Sequence, residues 1–478
     1  MRLYSHLLLL SFSPFCKVLL EKNMLNKTIA AISTARGRGG VAIIRISGDD
    51  ALEIAMGVVR TKAKEIEPRK CYYGEILRDG EIIDDGILTY YKAPASFTGE
   101  DVCEICCHGG IYVTGAVLES VLSQGAALAG PGEFTRRAYI NGKLTLSRAE
   151  AIGNVIDART DSQLRLSSSQ ARGALSSKVE NIRESMLSLI AHAYATVDYP
   201  DEDIEEATRD EMVSTLNSVL TELEALKRSY RTGRAVCEGI QTAIIGKPNA
   251  GKSSLYNMLL RENLAIVTDI AGTTRDVIEH TASLGGVTLN LADTAGIRES
   301  LDVVEKIGIE RAKEKVESSE LLFCVFDQST KETAEDEEIL ELARGKSAIA
   351  IINKTDTPPK ISKEFLEKIE ASFLKTVYIS ARNSLGYEEL EKTVAGLYDL
   401  GEFDLSKDGI ISNARQFSSV NLALEETKNA KEALDFGQTP DIVLFSLEKA
   451  LSDLDMIDAK GASEEIVNTI FSHFCVGK

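Results

Sequence analysis

Apolar residues are spaced in different ways along the chain, and these spacings divide it into three kinds of region. From residue 27 to about 143, runs such as GVAIIRIS and DVCEICC are mixed with the helically spaced run IYVTGAVLESVLSQG, which predicts a compact α/β unit. Residues 144 to about 238 have long helical periodicity, and the same spacing returns from about 410 to 473. Between them, residues 241 to about 398 alternate short β runs (TAIIG, LLFCVFD, AIAIIN, TVYIS) with helices, which is typical of a parallel α/β sheet.

This order predicts a self-contained α/β domain inserted into a helical one, because the two ends of a domain often lie close together on its surface. The predicted fold class is α/β plus α: an N-terminal α/β domain, an all-α helical domain and an inserted α/β domain with a mostly parallel sheet. The predicted boundaries follow the changes in spacing: an extension at 1–23, the N-terminal domain at 24–143, a first helical segment at 144–239, the inserted domain at 240–399 and a second helical segment at 400–478.

The composition and charge of the chain limit the classes of protein to which it can belong. A chain of 478 residues with 44% hydrophobic and 27% charged residues is that of a globular protein of roughly three domains. The formal charge of −19 argues against binding nucleic acid through an overall positive field, so any RNA contact must be local. The eight cysteines have no framework spacing, which favours a reducing cytosol and a cytoplasmic location.

The first 23 residues contain LLLLSF and KVLL, which are similar to the apolar part of a signal peptide. The run is short, it is broken by Ser, Pro and Lys, and no small-residue cleavage site follows it. We therefore expect a mis-assigned start or a disordered tail ahead of Met24. No other stretch approaches the roughly 18 apolar residues that a membrane span needs, so no membrane partner is expected.

The strongest chemical motif is GKPNAGKS, at residues 246–253, between an apolar strand and the helical run SSLYNMLL. In such a loop, successive main-chain N–H groups and a helix N-terminus surround phosphate oxygens. Lys252 is then placed to reach the β and γ phosphates, and the Ser253 hydroxyl to bind Mg²⁺.

Three more motifs follow in order, each after an apolar strand. In DTAG, Asp293 can reach the Mg²⁺ shell and the Gly296 N–H can reach the γ phosphate. In NKTD, Asp356 can accept hydrogen bonds from N1–H and the 2-amino group of guanine, which adenine lacks, so GTP is the expected ligand. The third motif, residues 380–382 (SAR), follows TVYIS and supports the base from the other side.

The loop IVTDIAGTTRD, residues 266–276, lies between the first two motifs, and Thr274 is placed to complete the Mg²⁺ shell. Ile297, just after DTAG, occupies the position at which the Ras group has a glutamine that orients the attacking water. The residue that orients the water must therefore come from elsewhere.

These residues closely resemble one family, the tRNA modification GTPases MnmE, also called TrmE. The resemblance runs from Met24 to Lys478 and includes RGRGGVAIIRISG, SFTGEDV, PGEFTRRAYINGKL, the four nucleotide motifs and the terminal FCVGK. It implies that the inserted domain is a Ras-like P-loop GTPase and that the N-terminal domain binds folate and dimerises. The residues then expected to bind GTP are Asn249, Ala250, Gly251, Lys252, Ser253, Ser254, Thr268, Asp269, Ile270, Ala271, Gly272, Thr273, Thr274, Asp293, Thr294, Ala295, Gly296, Asn353, Lys354, Thr355, Asp356, Ser380, Ala381 and Arg382.

The resemblance also implies how hydrolysis is catalysed. In this family the GTPase domains of two protomers pair, and a K⁺ ion takes the place of an arginine finger. The matching K⁺ ligand positions here are Asn249, Thr268, Ile270 and Thr273. The carboxylate that orients water matches Glu305, which by sequence alone is more often an ordinary solvated residue of a first helical turn. Arg275 and Arg298 flank the switch loops and either contact the paired domain or are solvated surface residues.

A one-carbon folate site is implied at the N-terminal domain. Arg45, Glu104, Lys143 and the terminal Lys478 match the family's binding positions, although single basic residues such as Arg45 and Lys143 are more often surface charges. A carboxylate can bind the pterin edge, and basic groups suit the glutamate tail. Cys475 is expected to approach the one-carbon group as a second catalytic residue, with His473 nearby, and the alternative is a packing thiol.

Two further clusters allow more than one interpretation. Cys103, Cys106, Cys107 and His108 invite a zinc hypothesis, but strand alternation places them on opposite faces, so we favour cysteines packed in a core. The basic residues expected to contact tRNA, or else to form a solvated helix face, are Arg136, Arg137, Lys143, Arg148, Arg159, Arg165 and Arg172.

The implied function is GTP hydrolysis coupled to modification of C5 of the wobble uridine of certain tRNAs by an aminomethyl or carboxymethylaminomethyl group. The implied partners are a second copy of the chain in a homodimer, an FAD-dependent protein of the MnmG type, with which it forms a heterotetramer or larger complex, and tRNA. The implied cofactors are Mg²⁺, K⁺ and 5-formyl- or 5,10-methylene-tetrahydrofolate. One alternative is a switch GTPase for ribosome assembly that modifies nothing, and another is a folate enzyme merely regulated by GTP.

Overall fold

The computed structural model describes residues 27–198, 206–261, 280–291, 316–458, 464–472 and 474–477. These residues form two compact units. The first contains the described residues up to Gly153 together with those from Asp458 onward, and the second runs from Asn154 to Ile457. The predicted domain boundaries are finer than this division and stay predictions.

The first unit is built around a seven-stranded sheet. Its strands are β1 (Ile29–Ile32), β2 (Val41–Ser47), β3 (Val59–Thr61), β4 (Cys71–Arg78), β5 (Glu81–Tyr91), β6 (Val102–His108) and β7 (Ala127–Leu128). They lie in the order β3-β4-β5-β6-β2-β1-β7. Neighbouring strands are antiparallel except for β1 and β7, which are parallel.

Apolar residues alternate with polar ones along the strands, so the sheet has one apolar face. Helices cover that face. In β2, for example, Ile44 and Ile46 are buried and Arg45 lies on the opposite face. The helices of this unit are α1 (Ala51–Val58), α2 (Ile111–Ser123), α3 (Glu133–Ile140), α4 (Leu146–Asp157), which continues into the second unit, and α14 (Glu464–Ser472). The inward residues of α1 and α2 pack with those of β2 and β6 in one core.

The end of the chain packs on the first unit. Phe471 of α14 is buried with Leu146 and Ala149 of α4. Val476 then forms an isolated antiparallel bridge with Pro131, and the Ser33 hydroxyl donates to the Gly477 carbonyl at 3.0 Å. Contacts made by residues at both ends of the sequence therefore hold Cys475 beside the N-terminal sheet.

The second unit contains a helical part with its own core. Its helices are α5 (Asp161–Ala171), α6 (Ala174–Asp198), α7 (Glu206–Cys237), α12 (Ala414–Asp435) and α13 (Pro440–Asp455). Two of them begin at side-chain caps: Thr160 forms a capping box with Gln163 at the start of α5, and the Asn413 side chain accepts from the Gln416 N–H at the start of α12. This confirms the predicted helical domain in outline.

The same unit contains a six-stranded sheet that lies in the chain between α7 and α12. Its strands are β8 (Ile240–Gly246), β9 (His280–Leu284), β10 (Val287–Leu291), β11 (Leu321–Asp327), β12 (Ala348–Asn353) and β13 (Lys375–Tyr378). They lie in the order β13-β12-β11-β8-β10-β9. Only the β9–β10 pair among these described strands is antiparallel, which confirms the mostly parallel sheet.

Both faces of this sheet are covered by helices, and the central strands β11 and β12 are apolar up to their last residues, Asp327 and Asn353. All seven residues of β11 and all six of β12 are buried. The covering helices are α8 (Lys252–Arg261), α9 (Ala334–Ala343), α10 (Lys363–Ser372) and α11 (Tyr387–Leu397). The carboxyl ends of β8, β11 and β12 meet at one edge, where ligands bind in open parallel sheets. None of the helices in the described ranges is long and apolar enough to cross a membrane.

Candidate functional site

The loop between β8 and α8 has the backbone that the phosphate motif requires. Asn249 and Gly251 have positive φ angles of 62° and 101°, and Ala250 between them is buried. A Cβ atom on Gly251 would lie 2.0 Å from Nδ2 of Asn353, so only glycine fits beneath that side chain. Helix α8 begins directly after this turn, at Lys252, and the exposed side chains of Ser253 and Ser254 lie in its first turn.

Lys252 lies over its own loop. Its ammonium donates to the carbonyl oxygens of Gly246 at 2.7 Å and Lys247 at 2.8 Å. Burial lowers the pKa of Lys252 from its ordinary value of 10.5. The helix N-terminus and this ammonium place positive potential at the same edge of the sheet, where anionic oxygens are stabilised.

Asn353 joins this phosphate loop to the loop after β13. Its Nδ2 donates to the Ala250 carbonyl at 2.9 Å, and its Oδ1 accepts from the Ala381 N–H at 3.0 Å. The side chain is 2% exposed, so both bonds are made in a nearly dry environment. Residues more than a hundred positions apart are thereby fixed relative to one another.

Asp356 lies in an exposed turn beside Asn353. Its Oδ1 accepts from the Ser380 hydroxyl at 2.7 Å, and the neighbouring Thr355 N–H donates to the Ile379 carbonyl at 3.1 Å. Arg382, the last residue of the SAR motif, is exposed. The structure therefore brings the residues of NKTD and SAR together, next to the phosphate loop.

Two acidic residues that the sequence analysis missed support the lysines of these motifs. Lys354, with a φ angle of 65°, donates to Oδ2 of Asp327 at 2.5 Å. Burial alone would raise the pKa of Asp327, but bonds from Lys354 and Ser329 hold it below the ordinary value. Lys247 forms a buried ion pair with Asp336 at 2.7 Å. The position of Asp327 at the end of LLFCVFD was the available sequence signal, since the carboxyl ends of neighbouring parallel strands meet.

Several residues that the sequence analysis named lie outside the described residues. These are all of 268–274 and 293–296, together with Arg275, Ile297, Arg298, Glu305, His473 and Lys478. Of the residues expected to hold K⁺, the described one is Asn249, which is exposed, and of those expected to hold Mg²⁺ it is Ser253. Amide and hydroxyl oxygens are suitable ligands for such hard cations.

A second group of expected ligands lies in the first unit. Arg45 and Glu104 are directly paired across β2 and β6, and the guanidinium contacts Oε1 of Glu104 through Nε at 2.9 Å and Nη2 at 2.8 Å. The guanidinium also lies 5.6 Å from the ring centre of Phe97 and 5.7 Å from that of Phe134. The exposed Lys143 donates to the Pro94 carbonyl at 2.9 Å. The N-terminal unit therefore supplies a carboxylate, two cationic side chains and two aromatic rings for this expected site.

The cysteine cluster does not converge on one point. Cys103 and Cys107 are buried in the sheet core, where burial raises their pKa values to about 12 and about 11. His108 instead pairs with Asp84 at 2.7 Å on the surface. The packing interpretation is confirmed for Cys103 and Cys107. Cys475 is exposed, and its carbonyl accepts from the Gly132 N–H at 3.3 Å.

One of the basic residues expected to contact tRNA, Arg137, is buried, which corrects that expectation. Arg137 is 1% exposed, and it pairs with Glu100 and Glu133 at 3.0 Å and donates to the Lys27 carbonyl at 2.9 Å. It is therefore a core ion-pair residue and not a surface contact. Lys143, Arg159, Arg165 and Arg172 are exposed or partly exposed, and Arg136 and Arg148 are half-buried.

Three features of this chain are those of a P-loop protein with a site for a guanine base. They are the mostly parallel sheet, the glycine-constrained loop before α8 and the clustered residues of NKTD and SAR. The family described as the MnmE helical domain matches residues 146–475, and the one described as the GTP-binding protein TrmE N-terminus matches residues 28–143. The chain therefore belongs to the MnmE family of tRNA modification GTPases.

Individual relatives support this membership. The chain is 41% identical to the tRNA modification GTPase MnmE of Thermoanaerobacter pseudethanolicus over 461 residues, which are 95% of this chain and 100% of that protein. It is also 41% identical to the protein of the same name from Bacillus cereus, over 94% of this chain and 99% of that protein. The family resemblance and the assignment as a GTPase enzyme, both predicted from the sequence, are confirmed.

Proposed function

We propose that this GTPase, with an FAD-dependent partner of the MnmG type, modifies C5 of the wobble uridine of certain tRNAs in the cytoplasm. The contact that carries the nucleotide half of this proposal is the link from Ala250 through Asn353 to Ala381, since it sets the distance between phosphate loop and base loop. Asp356 then accepts two hydrogen bonds from guanine, and Lys252 moves its ammonium from main-chain carbonyls to phosphate oxygens.

Two metal ions belong to this proposal. Ser253, exposed in the first turn of α8, would hold Mg²⁺ together with Thr274, and the Asn249 side chain would hold K⁺ with Thr268, Ile270 and Thr273. Asn249 has a left-handed backbone, with a φ angle of 62°, and it is exposed. Bound cations at these positions supply the positive charge that offsets charge developing between the β and γ phosphates. Glu305 would orient the attacking water.

The potassium proposal has a direct test, because Na⁺ has the same charge and a smaller radius. GTP turnover of the purified chain is measured in K⁺ and in Na⁺ at equal ionic strength. Turnover should fall strongly in Na⁺, and Asn249→Ala should reduce the K⁺ stimulation without abolishing GDP binding. Equal turnover in both salts would contradict the K⁺ site.

The folate half of the proposal rests on the Arg45–Glu104 pair. Both contacts of Arg45 fall on Oε1 of Glu104, so the Oε2 atom remains for the amino and N–H edge of a pterin. Lys143 and Lys478 suit the anionic glutamate tail, and Cys475 would approach the one-carbon group. A bound tetrahydrofolate supplies the carbon for the modification. Loss of 5-formyl-tetrahydrofolate binding in Arg45→Ala, with GDP binding retained, would support this site.

We propose a conformational role for GTP, because the nucleotide residues and the folate residues belong to different compact units. Pairing of GTPase domains within a homodimer would then report the state of the nucleotide to the rest of the complex. No residue in the described ranges of the chain belongs to both sets.

The decisive experiment is mass spectrometry of wobble nucleosides from cells that lack this chain. The proposal predicts loss of the C5 substituent and its recovery when the gene is restored. Unchanged wobble nucleosides would favour a ribosome-assembly switch. Turnover of folate on small molecules without tRNA would favour a folate enzyme regulated by GTP.

A further inference from the structure

Gln328, which follows Asp327 at the end of β11, is buried against the turn that carries Asp356. Its side chain is 8% exposed. Nε2 of Gln328 lies 3.3 Å from the Lys354 carbonyl and 2.9 Å from the Thr357 carbonyl. Both neighbours are carbonyl oxygens, so the donor nitrogen of the amide must face the turn, and the orientation of this side chain is fixed chemically.

The two carbonyls are the first and last of one β-turn. The Thr357 N–H donates to the Lys354 carbonyl at 2.9 Å, and Asp356 is the third residue of that turn. The turn begins in a left-handed conformation, with a φ angle of 65° at Lys354, which a non-glycine residue adopts only at a cost in free energy. The Gln328 amide therefore holds both ends of a strained turn in place.

The main chain of Gln328 extends the same support. Its N–H donates to the Asn353 carbonyl at 3.2 Å, and its carbonyl accepts from the Lys360 N–H at 2.7 Å. Asp356 is itself held through its side chain by Ser380. The base-reading carboxylate is thus fixed from two sides, by Ser380 at the side chain and by Gln328 at the backbone.

We propose that Gln328 is a positioning residue for guanine recognition, which sets the direction of the Asp356 carboxylate. This inference rests on the proposed guanine site. A carboxylate that makes two bonds to guanine needs both oxygens correctly directed, whereas one bond tolerates more movement. Loosening the turn should therefore weaken binding of GDP more than binding of IDP, which lacks the 2-amino group.

The test measures dissociation constants of the full-length chain for GDP and IDP, with Mg²⁺, in the wild type and in variants. Gln328→Met keeps the volume and removes the donor, and Gln328→Glu places an acceptor against two carbonyls. We expect the preference for GDP over IDP to fall about threefold or more in Gln328→Met and about tenfold in Gln328→Glu. In an Asp356→Ala background, Gln328→Met should not change the ratio further, since the two residues act through one contact.

The matched control is Gln170→Glu. Gln170 is also a buried glutamine whose Nε2 donates to a carbonyl, that of Ile410 at 2.6 Å, but it lies in the helical part. This variant should lose stability in urea and keep the wild-type ratio. An unchanged ratio in both folded Gln328 variants would overturn the inference. Equal binding of GDP and IDP by the wild-type chain would instead contradict the guanine site itself.

Discussion

Asn353 donates a hydrogen bond to the carbonyl of Ala250 across 2.9 Å, and so ties the end of strand β12 to the phosphate loop. The same amide accepts from Ala381 on its other side. In the proposed GTP site, this one buried side chain would couple recognition of the base to recognition of the phosphates. The arrangement explains why an asparagine, with both a donor and an acceptor on one planar group, occupies this position.

Asn353→Ala should therefore weaken nucleotide binding and folding together. It leaves the Ala250 carbonyl and the Ala381 N–H without their partner, at a cost of about 1–3 kcal/mol in the free energy of unfolding. GDP affinity should fall at least about tenfold, because the two loops lose their fixed separation. Urea unfolding and GDP titration measure the two effects.

Asn290→Ala is the control for that experiment. Asn290 on the nearby strand β10 makes one side-chain bond to a carbonyl, that of Glu238 at 3.0 Å, at an exposed site. It should change GDP affinity little. A tenfold loss in both variants would show that general destabilisation of the sheet, and not the link to Ala250, governs binding.

Gly251→Ala should abolish nucleotide binding. The added methyl group would meet Nδ2 of Asn353 at 2.0 Å, and a φ angle of 101° is strained for alanine. Gly396→Ala, on the exposed side of α11, adds a methyl group with no neighbour within 4 Å and at ordinary φ, so it should bind GDP normally. Calorimetric titration of both variants with GDP tests the difference, and normal binding by Gly251→Ala would refute the steric argument.

Arg137→Ala should destabilise the chain without acting through tRNA. It leaves Glu100 and Glu133 without their shared cation. Removal of one partner of a fully buried pair costs about 3–5 kcal/mol, and the partial exposure of the two glutamates reduces this to about 2–3 kcal/mol. Arg165→Ala, at an exposed position, should keep stability and weaken tRNA binding if that face contacts RNA. Thermal unfolding and tRNA titration separate the two roles.

The His108–Asp84 pair should stabilise the chain in a defined pH range. The hydrogen bond and charge of Asp84 raise the pKa of His108 above 6.5, so its contribution is complete below pH 6.5 and is lost as pH rises through the raised pKa. Burial alone would raise the pKa of Asp84, but bonds from His108 hold it below 3.8, so this contribution is lost at acid pH. An NMR titration of the imidazole should give a pKa above 6.5 that returns toward 6.5 in Asp84→Asn.

Much of the architecture follows from local sequence because apolar spacing is local. The apolar runs of β11 and β12, each of which ends in one polar residue, predict buried parallel strands, and the long helical spacing of α7 and α12 predicts the helical part. The residues of GKPNAGKS, NKTD and SAR were found because each motif follows a strand. Their convergence then follows from the parallel order of β8, β11, β12 and β13.

The remaining features depend on contacts between distant regions of the chain. The residues around Arg137 predict a basic helix. The burial of Arg137 depends on Glu100, which lies 37 positions away in the chain. The positioning role inferred for Gln328 depends on β11 lying beside β12, a relation that spacing along the chain does not contain. The attachment of Val476 to Pro131 likewise joins segments that no local pattern relates.

We propose that Asp356 binds guanine from a fixed position, and the variant Asp356→Asn tests this proposal. Because Oδ1 of Asp356 faces the Ser380 hydroxyl, the new amide should keep its oxygen there and turn its NH₂ toward the base. That donor opposes the 2-amino group of guanine and matches the 2-oxo group of xanthine. The measurement gives dissociation constants for GDP and XDP. The wild-type chain should prefer GDP, and the ratio of the two constants should shift by at least roughly a hundredfold toward XDP in the variant. An Asp356→Asn chain that keeps the wild-type preference for GDP would refute guanine recognition by Asp356.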